Sequence, residues 1–150
     1  MRNELQNIQP PQRLAMAMAA MEWARDAMGQ IETGEISDYL FRGMAAGREA
    51  VSASGDKIGL PEEMLDEYQD VLDLADEPGT SHILSALLAC ADAPEGLTGE
   101  VLYGVFSFCY EGLLDREELP ERTVEAERAN VRCLEAIAFQ KRLVNEALGR

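Results

Sequence analysis

The pattern of apolar and polar positions divides the chain into helical segments, and one of them differs from the rest. From Leu97 to Leu114, LTGEVLYGVFSFCYEGLL, the apolar residues form no single stripe. Val101, Leu102, Tyr103, Val105, Phe106, Phe108, Cys109, Tyr110, Leu113 and Leu114 surround a helix that turns ~100° per residue. A helix apolar on most sides belongs in the middle of a bundle. Periodicity alone does not separate such a run from a strand. Its length and punctuation favour a helix: Thr98 stands where an N-cap is needed, and Glu100 falls in the first turn. Gly104 and Gly112 each cost a helix roughly 1 kcal/mol against alanine. Their expected use is to let a neighbouring helix come close.

The other segments arrange themselves around this one. Met1–Gln9 reads as a lead-in that is expected to be flexible. Pro10 and Pro11 then open a helix that runs to Met28 and stops at Gly29. Leu14, Met18, Met21 and Met28 share one side, and Met16, Ala20, Trp23 and Ala27 widen it. Trp23, at the edge of that face, is a candidate interface anchor. A second helix is expected over Glu35–Ala53, with Gly43 and Gly47 four apart on one face and suited to close packing. A third is expected over Pro61–Glu77, with a core stripe of Met64, Tyr68, Val71, Leu72 and Ala75. A short fourth over His82–Ala91 is capped by Thr80 or Ser81, and a long last helix runs from Pro120 to Leu148. Ala126, Ala129, Cys133, Ile137, Val144 and Leu148 are expected to face inward along the last. The fold class is therefore all-α, a single-domain bundle of about six helices around a buried central helix, residues 97–114.

The outer face of the third helix changes the picture. Glu62, Asp66, Asp70, Asp73 and Glu77 follow one another at spacings of 4, 4, 3 and 4, which places them on one helical face opposite Met64, Tyr68 and Val71. Residues 61–77 contain no Lys or Arg. Carboxylates four apart repel by a few tenths of a kcal/mol per pair, and acids in the last turn oppose the helix dipole. A surface chosen for helix stability would mix the two signs. This stripe does not, so Glu62, Asp66, Asp70, Asp73 and Glu77 are the candidate partner-binding residues, and Trp23 on the first helix is a further candidate.

Charge extends the same argument. The 150 residues hold 28 acids and 13 bases, a net charge of −15. That balance excludes a basic footprint for nucleic acid, disfavours anionic membrane surfaces, and attracts a basic protein partner. No apolar run reaches the ~20 residues of a membrane span, and no basic stretch followed by an apolar one opens the chain, so no signal peptide is expected. The three cysteines all lie in apolar helical contexts, as expected of free buried thiols in a reducing cytoplasm.

Catalytic and cofactor chemistry has little support. His82 is the only histidine, and no motif joins it to Cys90, Cys109 or Cys133 as a nucleophile or a zinc site. No Asp-x-Asp-x-Asp-Gly calcium loop, phosphate loop, Gly-x-Gly-x-x-Gly or Gly-x-Ser-x-Gly occurs. The expectation is a non-enzyme with no cofactor and no metal.

In size, acidity and helical organisation the chain resembles bacterial immunity proteins, which neutralise toxins, many of them nucleases with basic active sites. The resemblance rests on no diagnostic motif, and no residue is carried over from it. DNA-mimic proteins share the acidic logic, with charge expected to be less segregated. The reading is an acidic helical protein-binding module of the immunity type that neutralises a basic partner such as a toxin domain. The alternative is a structural or regulatory bundle whose acidic face is merely solvated; an enzyme of unknown type comes third.

Overall fold

A computed structural model describes every residue, Met1–Arg150. A 3-10 turn, Glu4–Asn7, precedes seven helices: α1 Pro10–Met28, α2 Gly34–Ser52, α3 Glu62–Asp73, α4 Thr80–Ala91, α5 Gly99–Arg116, α6 Val124–Ala129 and α7 Val131–Ala147. The protein is an all-α bundle, with no strand and no helix long and apolar enough to cross a membrane.

Helix α5 begins as its sequence dictates, with the Thr98 hydroxyl accepting from the Val101 N–H at 3.1 Å. It packs most extensively against α4 and α1, and also meets α7 and the 3-10 turn. Leu102, Val105, Phe106, Cys109 and Leu113 are buried in the core. The enclosure is not complete. Ser107, Phe108 and Glu111 face solvent, so the helix is covered on most of its circumference and open along one strip.

Glycine marks the closest approaches. Gly79 has φ +84°, and a Cβ there would strike the carbonyl oxygen of Gly112. A Cβ on Gly112 would lie 3.2 Å from the Gly79 oxygen and 3.2 Å from His82 Cβ, so the α3–α4 link and α5 cross almost backbone to backbone. Gly43 makes room for Leu87 of α4, and Gly47 for Met18 of α1 and for Ile58. Gly104, by contrast, has open space where its Cβ would be, so its expected role in close packing fails.

Three stretches depart from the sequence reading. The lead-in is part of the core, since Leu5 and Ile8 are buried. Arg13 holds it there, donating to the carbonyls of Leu5, Gln6 and Leu97 at 3.0, 2.8 and 2.9 Å. The long last helix is two helices. The first starts at Val124 and not at Pro120, with Thr123 as its cap, accepting from the Ala126 N–H at 3.1 Å. Asn130 leaves helical geometry at φ −92°, ψ 120°, and its side chain accepts from the Cys133 N–H at 3.0 Å to start α7. The break shifts the inward phase: Cys133, Ala136 and Val144 are buried, while Ala129 and Ile137 are exposed. The third helix ends at Asp73, short of Glu77. Its C-terminus offers the dipole no cation, only Asp73 and Asp76, and Glu77 has a stronger attraction elsewhere.

Candidate functional site: the acidic face of α2 and α3

Helix α3 is strongly amphipathic. Met64, Tyr68 and Val71 are buried, and Tyr68 stands 6.2 Å, centroid to centroid, from Tyr39 of α2. The Tyr39 hydroxyl donates to the Met64 carbonyl at 2.7 Å, locking α3 onto α2. Burial raises the pKa of both phenols, so they stay neutral hydrogen-bonding groups.

On the opposite side Glu62, Asp66, Asp70 and Asp73 are all exposed. Of the acids from Glu62 to Glu77, only Glu67 and Glu77 pair with a cation. Asp73 accepts from the Gln69 amide at 2.9 Å; Glu62, Asp66 and Asp70 have no side-chain partner. The four exposed carboxylates thus present an uncompensated negative field to solvent.

Helix α2 extends this face. Arg42 reaches Glu67 at 3.0 Å and Asp38 at 3.0 Å, and its guanidinium lies 5.6 Å from the Tyr39 ring. Beside it opens a shallow cleft of about 350 Å³ between the helices, bordered by Glu35, Asp38, Glu67 and Asp70 and floored by Val71 and Leu74. Leu65 and Leu74 are each 46% exposed; Phe41 of α2, 65% exposed, lies away from α3 and lines a separate cleft with Arg25, Asp26 and Ile31. Carboxylates around exposed aliphatic groups give the mixture found at protein interfaces, a polar rim with apolar anchors. Leu65 was visible in the sequence as an apolar residue among the outward acids. Glu35 and Asp38 were not, because their joining to α3 depends on the packing of two helices.

Glu77 does not belong to this face. It lies in the α3–α4 link, only 15% exposed, and pairs with Arg116 of α5 at 2.8 Å. It also accepts from the Thr33 N–H at 2.9 Å, the Thr33 hydroxyl at 3.0 Å and the Glu32 N–H at 3.1 Å. Arg116 spends its remaining donors on the carbonyls of Met28, Gln30 and Pro78. The Arg116 guanidinium and these N–H groups lower the Glu77 pKa to about 2. Glu77 is a joint between the α1–α2 link, the α3–α4 link and α5, and has nothing free to offer a partner. Trp23 is likewise engaged: its ring stacks on Phe139 of α7 at 5.5 Å and 16°. It is half-buried and serves to hold α7 on α1.

Other chemistry does not gather. Nowhere do three or more His, Cys, Asp or Glu side chains stand together in a way that could hold a metal ion. Cys90, Cys109 and Cys133 are free and buried. Burial pushes the Cys90 thiol up to about 12 and raises the other two, so none carries an active thiolate at neutral pH. His82 Nδ1 is buried without a hydrogen-bond partner. No family model matches the chain, and neither curated proteins nor solved structures give a significant match.

Proposed function

We propose that this protein is a binding module whose α2–α3 face captures a basic partner, in the manner of an immunity-type inhibitor that covers the cationic site of a toxin. One observation carries the reading. Glu62, Asp66, Asp70 and Asp73 run along α3 exposed and without a cation, at a cost to the helix, while the fold directs its nearby arginines to Glu67 and Glu77. An unbalanced field of this kind raises the encounter rate with an oppositely charged protein. Leu65 and Leu74 supply apolar area that a long-lived complex needs beyond steering. Three buried thiols with no disulfide suit a reducing compartment such as the cytoplasm.

Parallel capture from the native cell with wild type and an Asp66→Lys/Asp70→Lys variant tests the reading. The expected result is a basic protein retained by the wild type and lost by the variant. A partner retained equally by both overturns the assignment of the site.

A further inference from the structure

Residues 115–132 contain no buried side chain, the longest such stretch in the chain. Helix α6 lies inside it, between two breaks in the backbone. Glu118 has φ +49°, a left-handed conformation that costs a residue with a Cβ. Asn130 is extended, at φ −92° and ψ 120°, and hands the chain to α7. No backbone hydrogen bond of residues 119–129 reaches back to α5 or past Asn130. Three side-chain ties hold the segment down. Two are the bridges of Arg122 to Asp115 at 3.1 Å and to Glu111 at 3.8 Å, made by side chains that are all 36–50% exposed. Water screens such pairs, and they hold little. The third is better made: the Tyr110 hydroxyl of α5 donates to Glu127 Oε1 at 2.5 Å, partly shielded from solvent. Beneath it a groove of about 140 Å³, lined by Tyr110, Val124, Glu127, Leu134 and Ile137, separates α6 from α7, so the two helices rest together without interdigitating. Cys133 lies beside the Tyr110 hydroxyl and near Glu127. It is fully buried although the helix before it buries nothing.

We infer that residues 119–129 are a latch: they open as a unit between Glu118 and Asn130, the Tyr110–Glu127 hydrogen bond is the pin, and its release uncovers the Tyr110 hydroxyl and Cys133 while the rest of the bundle stays folded. Segments that open alone bury little apolar surface and share few bonds with their surroundings, and this one meets both conditions. The far side of the pivot is secured independently. The Asn130 side chain accepts from the Cys133 N–H at 3.0 Å, so α7 keeps its N-terminal cap when α6 leaves. Tyr110 is carried by α5, whose core contacts do not involve α6. Access to Cys133 is thereby made conditional on one hydrogen bond.

Hydrogen exchange, read together with iodoacetamide labelling and peptide mapping, tests this on the full chain. In the wild type the α6 amides are expected to exchange at least about tenfold faster than those in the centre of α5, with no cysteine labelled over the same interval. Tyr110→Phe and Glu127→Ala are each expected to speed α6 exchange at least about fivefold and to leave α1–α4 unchanged. Both remove the same bond, so the double variant is expected to open no more than either single one. In each variant Cys133 alone is expected to react, while Cys90 and Cys109 stay protected. Glu127→Ala, on a helix that buries nothing, carries the test if Tyr110→Phe fails to fold. Wild-type α6 amides protected as well as those of α5 would overturn the inference. So would variants that exchange and label as the wild type does, or three thiols reacting together, which is the mark of global unfolding. Asp66→Lys/Asp70→Lys is expected to leave the latch unchanged, so failure here is separable from failure at α3.

Discussion

Replacing Glu77 by glutamine removes one charge from a joint that ties three parts of the bundle together. Its pKa is lowered to about 2 from an ordinary 4.5, chiefly by the Arg116 guanidinium. At about 1.4 kcal/mol per pH unit the shift corresponds to roughly 3.5 kcal/mol. Water reaches the edge of the pair, 15% and 18% exposed, and screens part of this, leaving about 2 kcal/mol. Glutamine keeps an acceptor for Thr33 but leaves Arg116 half-buried without an anion. Glu77→Gln should therefore cost about 2 kcal/mol at pH 7, roughly 4–8 °C in melting temperature. The pH dependence has a definite sign. A carboxylate whose pKa is lower in the folded state contributes its full stability above the unfolded value, near 4.5, and loses it as pH falls toward 2. Urea unfolding of both proteins between pH 7 and pH 2 measures the difference directly. The gap between wild type and variant should be constant above about pH 5 and close progressively below it. A gap under 0.5 kcal/mol at pH 7, on the order of an ordinary surface change, or one that does not narrow with acid, would refute the assignment of Glu77 as a joint.

Three further outcomes follow from the packing. Gly104→Ala should stabilise by up to about 1 kcal/mol, because alanine suits a helix interior better and its methyl meets nothing within 4 Å; Gly112→Ala should destabilise by about 1 kcal/mol, because its methyl presses on the Gly79 backbone. Chemical unfolding of the two variants should therefore move in opposite directions, and equal shifts would contradict the crossing geometry. Phe106→Ala, at a side chain 2% exposed, should cost about 3–5 kcal/mol; a loss below about 1 kcal/mol would contradict the central position of α5. A disulfide reagent should find no reactive thiol in the native protein and all three after unfolding, given the burial of Cys90, Cys109 and Cys133; rapid labelling of any one in native buffer would contradict that burial.

Much of the bundle was legible because local and tertiary demands agree. Pro10, Gly29 and Thr98 bound their helices as residue chemistry requires, and most of the apolar positions read for α1 and α5, Phe108 excepted, lie in the core or pack against it. The misreadings have a common cause. Asn130 is polar and helix-compatible, so nothing local announces that its side chain will cap α7 instead of continuing one long helix. Leu5 and Ile8 look like a tail until Arg13 is seen gathering three carbonyls around them. Glu77 continues the α3 spacing perfectly, and only the position of Arg116, 39 residues later, shows that it belongs elsewhere. The acidic character of Glu62, Asp66, Asp70 and Asp73 was readable from spacing alone. That Arg42 would spend its charge on Asp38 and Glu67, leaving those four unanswered, was a property of how α2 meets α3.

The most direct test of the α3 face is the association rate of the captured basic partner, measured against salt for wild type and for Asp66→Lys/Asp70→Lys. If the exposed carboxylates steer the encounter, the wild-type on-rate should fall by about tenfold or more between low and high salt. The double variant should associate about tenfold more slowly at low salt, with a much flatter dependence. Its free form should be slightly more stable, because lysines at 66 and 70 replace like-charge pairs with Glu62 and Asp73 by favourable ones. Equal on-rates and equal salt slopes in a folded variant would contradict the account and place the binding surface away from α3.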